Sequence, residues 1–122
     1  MRAVGWFQSF ARNVVAFWAE VDVVLTPALG MLPVEIGWVT SPDDPWEQYR
    51  RAGDFTPFTP LVNVTGQPAA SIPFGTVEGL PVGVQLIGPP AGEAVLFRLA
   101  AQLEEAHPWQ LPELARERLG AG

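Results

Sequence analysis

The chain has 122 residues, 48% of them hydrophobic, which suits one globular domain with a packed core. Asp and Glu number 13 against 7 basic residues, a net charge of −6, so no basic surface exists for nucleic acid or for an anionic membrane. All the basic residues are arginine, there is no cysteine, and His107 is the single histidine. A lysine base, a thiolate nucleophile, a disulfide and a His- or Cys-based metal centre are therefore all excluded within this chain.

The first twenty residues are no clean secretory leader, because Gln8, Ser9, Arg12 and Asn13 interrupt the apolar run. The expectation is a soluble, cytoplasmic protein. Trp6, Phe10, Val14, Phe17, Trp18 and Val21 recur at helical spacing and predict an amphipathic helix whose stripe faces a core. A strand over 22–26 follows, ended by Pro27. Its apolar residues are consecutive, which predicts an interior strand covered on both faces.

From Ala28 to Pro45 the periodicity dissolves into a long connection carrying Trp38. Pro45 to Arg51 predicts a short helix, with Ser41, Asp43 and Asp44 ahead of it as capping candidates. Thr56 with Pro57 predicts the start of another helix, and Gly66 its stop. Two strands, 69–74 and 81–88, predict a hairpin around a glycine-rich loop at 75–79. Gly92 opens the last clear helix, with Leu96, Leu99, Ala100, Leu103 and Ala106 on one side and Pro108 ending it. Residues 110–122 read as a polar tail.

Candidate chemistry is sparse. Ser71 lies in Ala-Ala-Ser-Ile-Pro, without the Gly-x-Ser-x-Gly setting of a nucleophile elbow, and reads as a small buried strand residue. Asp43 and Asp44 read as solvated or capping groups. Gly88-Pro-Pro-Ala-Gly-Glu93 lacks the Gly-Lys-Ser/Thr of a phosphate loop, and its two prolines remove N–H donors, so it reads as structural punctuation.

Three stretches in order, DVVLTPAL, FTPLVNVTGQPAASIPFG and GLPVGVQLIGPPAGEAVLFRLAAQLEEAHPW, resemble the C-terminal quarter of the amidase signature family. The Phe55-Thr-Pro-Phe58 start and the His-Pro-Trp end are most similar to its branch of 6-aminohexanoate cyclic-dimer hydrolases and related aliphatic amidases. The resemblance implies an α/β fold: a few strands of a mixed sheet, the hairpin 69–74/81–88 plus the strand 22–26, with flanking helices. It implies a partial amidase domain at 1–109. It also implies hydrolysis of a linear or cyclic carboxamide by a Ser–cis-Ser–Lys set, without metal or organic cofactor.

None of that catalytic set can be carried onto this chain, which has no lysine, no Ser-Ser pair and no Gly-Gly-Ser segment. By the resemblance the chain is a catalytically incomplete C-terminal fragment, with Trp38, Phe55 and Phe58 as candidates for the wall of a small-molecule amide pocket. The alternative is a non-catalytic split subunit, or a small-molecule or protein-binding module that keeps the scaffold. Strands that want cover on both faces predict association, either as a homo-oligomer or with an N-terminal amidase fragment.

Overall fold

The computed structural model describes residues 2–109. The polar tail expected at 110–122 lies outside the described residues. Helix α1 (Arg2–Phe17) leads into strand β1 (Val24–Pro27). Helices α2 (Pro45–Phe55) and α3 (Thr59–Thr65) follow, then strands β2 (Ala69–Val77) and β3 (Leu80–Ile87) and helix α4 (Glu93–Ala106). The strands form one antiparallel sheet in the order β1-β3-β2. No helix among the described residues is long and apolar enough to cross a membrane.

β3 is the central strand because it has a partner on each side. Gly83 accepts from the Ala28 N–H at 2.9 Å, and the Gly88 N–H donates to Pro68 at 2.9 Å on the other side. β1 is an edge strand here, not the interior strand that its consecutive apolar residues predict; Leu25 is 59% exposed. The hairpin is longer and tighter than its glycines suggest. Val77 pairs with Leu80 around Glu78 and Gly79, whose φ values of 53° and 76° make a two-residue turn of the type that matches strand twist. Gly75 belongs to the strand as part of a one-residue bulge, between the pairs Pro73–Gly83 and Thr76–Pro81.

The core is small. Ile72, Leu86 and Leu96 form its buried centre, joined by Val23, Val84, Leu99, Ala100 and Leu103. Alternation along β3 puts Leu86 toward α4 and Ile87, 1% exposed, toward the opposite face. Ala106, expected on the buried stripe of α4, is exposed at the helix end. The stripe of α1 is only half covered: Phe10, Val14 and Trp18 are half-buried, while Trp6 is 63% and Phe17 47% exposed. α1 rests on α3.

The caps follow local chemistry. Asp44 accepts from the Trp46 N–H at 3.0 Å, and Pro45 stands in the first turn of α2, where a missing N–H costs nothing. Thr56, expected to start α3, ends α2 instead. Its N–H and hydroxyl both donate to the Ala52 carbonyl, at 3.0 and 2.9 Å, so α3 begins three residues later at Thr59. Gly66 does stop α3, in the left-handed region at φ 70°. Asp44→Ala should lower stability by about 1 kcal/mol. The check is an earlier urea midpoint with an unchanged slope.

Candidate functional site

A groove of about 520 Å³ opens on the sheet face opposite α4. Ser71 and Gln85 line it, and the cross-strand register explains how they come together beside Thr26, which does not line it. Thr26 pairs with Gln85, and Gln85 pairs with Ser71, so three polar side chains from three strands share one face. Gln85 is 4% exposed, and its Nε2 donates to the Thr26 hydroxyl at 3.3 Å. Thr59, the first residue of α3, closes one side together with Ala28 and Leu29, which continue from β1. No charged side chain among the described residues lines the groove.

Ser71 is a strand residue but not the buried one that its small neighbours suggest: it is exposed and lines this groove. Its strand has one strand partner, β3, and no strand among the described residues pairs with its other edge. His107 is elsewhere. It follows α4 and stands against Phe74, with ring centroids 5.8 Å apart. No hydrogen bond links it to Ser71 among the described residues.

Trp38, Phe55 and Phe58 are all half-buried, and none of them lines the groove. Phe58 adjoins Thr59, which does. The Phe55 carbonyl accepts from the Gly30 N–H at 3.0 Å, tying the end of α2 to the stretch after β1. A Cβ on Gly30 would come within 2.9 Å of the Pro57 ring, so only glycine allows this approach.

Trp38 is held in a polar clamp. The Arg51 guanidinium lies 4.9 Å from its ring centroid, and Arg51 donates to the Trp38 carbonyl at 2.7 Å and to the Ser41 hydroxyl at 3.1 Å. Gln48 donates to the Pro42 carbonyl at 2.7 Å. The long connection is thus pinned to α2 although it has no regular structure. Glu47 anchors the clamp, and hydrogen bonds from Arg50 and then Arg51 hold its carboxyl down at about 2, against an ordinary 4.5.

The sign of the pH effect follows. A carboxyl whose pKa is lowered by folding contributes stability that is fully present above 4.5 and is lost as pH falls through about 2. An NMR titration of the Glu47 side chain should give a midpoint near 2. A midpoint near 4.5 would mean that the clamp does not form in solution.

Sequence reasoning passed over Gln85. The available signal was a lone amide within the apolar run Leu-Pro-Val-Gly-Val-Gln-Leu-Ile, since a buried polar side chain needs a partner. Gln67 has none: it is 7% exposed, and neither polar atom of its amide has a hydrogen-bond partner among the described residues.

Comparison with known proteins supplies the context for this surface. The solved structure of 6-aminohexanoate cyclic dimer hydrolase complexed with substrate superposes with a TM-score of 0.79 at 33% identity, covering 88% of this chain and 24% of that one. One subunit of the glutamyl-tRNA(Gln) amidotransferase of Thermotoga maritima gives a TM-score of 0.74 at 30% identity, over 90% of this chain and 23% of that one. The Mycobacterium leprae protein AmiC is 38% identical over 109 residues, 88% of this chain and 23% of its own. This chain therefore spans about a quarter of the length of the relatives it matches. The family described as Amidase matches residues 6–97, which take in most of α1, all three strands and the first turn of α4, and on that match the chain belongs to the amidase family.

Proposed function

We propose that this chain is the C-terminal part of an enzyme that hydrolyses carboxamide C–N bonds, linear or cyclic, and that it is catalytically incomplete by itself. The observation that carries the reading is the quarter-length match to a hydrolase fold, in a chain that contains no lysine. The segment supplying the lysine and the paired serines acts as the catalytic part, and this chain provides scaffold and pocket wall. Trp38, Phe55 and Phe58 are the proposed wall residues. The Arg51 clamp supports Trp38 in that role, because it fixes the side chain before any substrate arrives.

The aliphatic-amide branch is the proposed place within the family, supported by the 33% identity to the cyclic dimer hydrolase. The proposed compartment is the cytoplasm. The proposed partner is an N-terminal amidase segment, with self-association as the competing way to cover exposed apolar surface. The second reading, a binding module without catalysis, draws on the groove and its buried amide.

A chimera tests the assignment. Residues 2–109 replace the matching quarter of the 6-aminohexanoate cyclic dimer hydrolase. The amidase reading expects hydrolysis by the chimera and none by the hydrolase lacking that quarter. A folded chimera that binds amides without cleaving them would favour the binding-module reading.

A further inference from the structure

We infer that the open face of α1 is a self-association surface, on which α1 of a second copy of this chain packs antiparallel about a two-fold axis. This pairing is independent of the amidase reading.

The seam is written in the helix. Ala3, Trp6, Phe10, Asn13 and Phe17 alternate at spacings of three and four, the pattern that lines up one contact row on a helix. At 3.6 residues per turn, Trp6, Phe10 and Phe17 fall within about 40° of arc. Arg12 is the one ionised side chain from residue 3 to residue 17. It projects from the opposite side of the helix, where its guanidinium donates to the Ser9 hydroxyl at 2.9 Å. The row is open: Trp6 is 63% and Phe17 47% exposed, Ala3 and Asn13 are exposed, and Phe10 is half-buried. The Trp6 and Phe10 rings stack 5.5 Å apart with their planes 6° from parallel, so one end of the row is a flat aromatic surface. At the other end Phe17 stands edge-on to Trp18, with centroids 6.3 Å apart.

A second copy fits this row because the row is aromatic near both ends. An antiparallel register that sets Trp6 against Phe17 of the copy also sets Phe10 against Asn13, and the two-fold axis repeats both pairs. Trp6 and Phe17 lie about 16 Å apart along the helix, and the match in length is automatic, since both copies carry the same spacing. Such an interface uses one patch on both subunits and closes at two. The charges allow it. The helix has no acidic residue in a chain of net charge −6, its arginine points away from the seam, and the two helix dipoles run in opposite directions. Fully burying an aromatic side chain covers about 150–250 Å², so the exposed parts of Trp6 and Phe17 amount to roughly 500 Å² over two copies. With the rest of the row added, the contact stays below the ~1,200 Å² of the smallest stable interfaces, the size of a weak, concentration-dependent dimer.

The test is sedimentation equilibrium of the complete chain across a wide range of concentration. The expected result is a monomer at low concentration and a dimer at high concentration. Trp6→Asp and Phe17→Arg should each weaken the dimer by roughly thirtyfold or more, the scale of a central aromatic lost from an interface. Both positions are exposed, so the fold persists, and circular dichroism checks that it does. Arg12→Ala, on the far side, should leave dimerisation unchanged. The two weakened variants, mixed in equal amounts, should form a heterodimer. At one end the new carboxylate meets the new guanidinium, and at the other end the native Trp6–Phe17 pair remains. Only the antiparallel register gives that rescue.

A monomer at every concentration, a dimer that neither substitution weakens, or a mixture that stays monomeric would each overturn the pairing. So would a chain that is monomeric alone but binds the hydrolase lacking its matching quarter, if Trp6→Asp abolishes that complex: the face would then belong to the catalytic segment.

Discussion

Incubated with a simple carboxamide, the 122-residue chain should release no amine or ammonia above the rate in water. Amide hydrolysis by a serine needs a base to take the hydroxyl proton, donors for the oxyanion and an acid for the leaving nitrogen. The chain has no lysine and no cysteine, and one histidine. His107 stands against Phe74, after α4, while Ser71 faces the groove on the side of the sheet away from that helix. A base that cannot reach the hydroxyl contributes nothing, and positioned proton transfer alone is commonly worth about 10² to 10⁴ in rate. With no base in reach of Ser71, the enzymatic acceleration of amide hydrolysis, commonly about 10⁶ or more, should be absent. Release of amine by chromatography over days is a sufficient measurement. Hydrolysis above background that disappears in Ser71→Ala or His107→Ala would reveal a complete site within the chain and remove the need for a catalytic partner.

Helix ends were the most legible part of this fold, because caps are settled by near neighbours. Asp44 ahead of Pro45, Gly66 after a short apolar run and Gly92 before Glu93 each mark a boundary that the structure keeps. Thr56 misled because two helices compete for it. Its hydroxyl can serve α3 as a cap or satisfy the Ala52 carbonyl of α2, and it does the latter. The extended hairpin was hidden by Gly75 and Gly79, which read as loop but serve as a bulge and a turn at positive φ. The edge position of β1 could not be read locally. Consecutive apolar residues in Val23-Val24-Leu25 announce cover on both sides, and that cover is not present around Leu25 among the described residues. The groove was illegible for a different reason. Thr26, Ser71 and Gln85 lie far apart in sequence, and only the register of three strands brings them together.

The mismatch at β1 leads to the second large effect. Leu86→Ala should unfold the chain at 25 °C, whereas Leu25→Ala, its direct cross-strand neighbour, should change stability by less than about 0.5 kcal/mol. Leu86 is wholly buried, at 0% exposure, and only Ile72, Ile87 and Leu96 share the class of buried hydrophobics among the described residues. Truncating such a leucine typically costs about 2–5 kcal/mol, through lost burial and the cavity left behind. A whole domain holds about 5–15 kcal/mol, and this chain should lie at or below the bottom of that range. Against four buried hydrophobics, the described residues include sixteen large exposed ones, Ile36, Trp46, Phe97 and Leu25 among them. Equilibrium urea unfolding of the two variants measures the contrast directly. The same pair then tests what covers the edge. If a catalytic segment docks along β1, Leu25 becomes buried in the chimera, and Leu25→Ala should cost more there than in the isolated chain. If the cost stays near zero in both, β1 is a true edge, and the covering segment must meet the chain elsewhere, with the exposed aromatic side of α1 next in line.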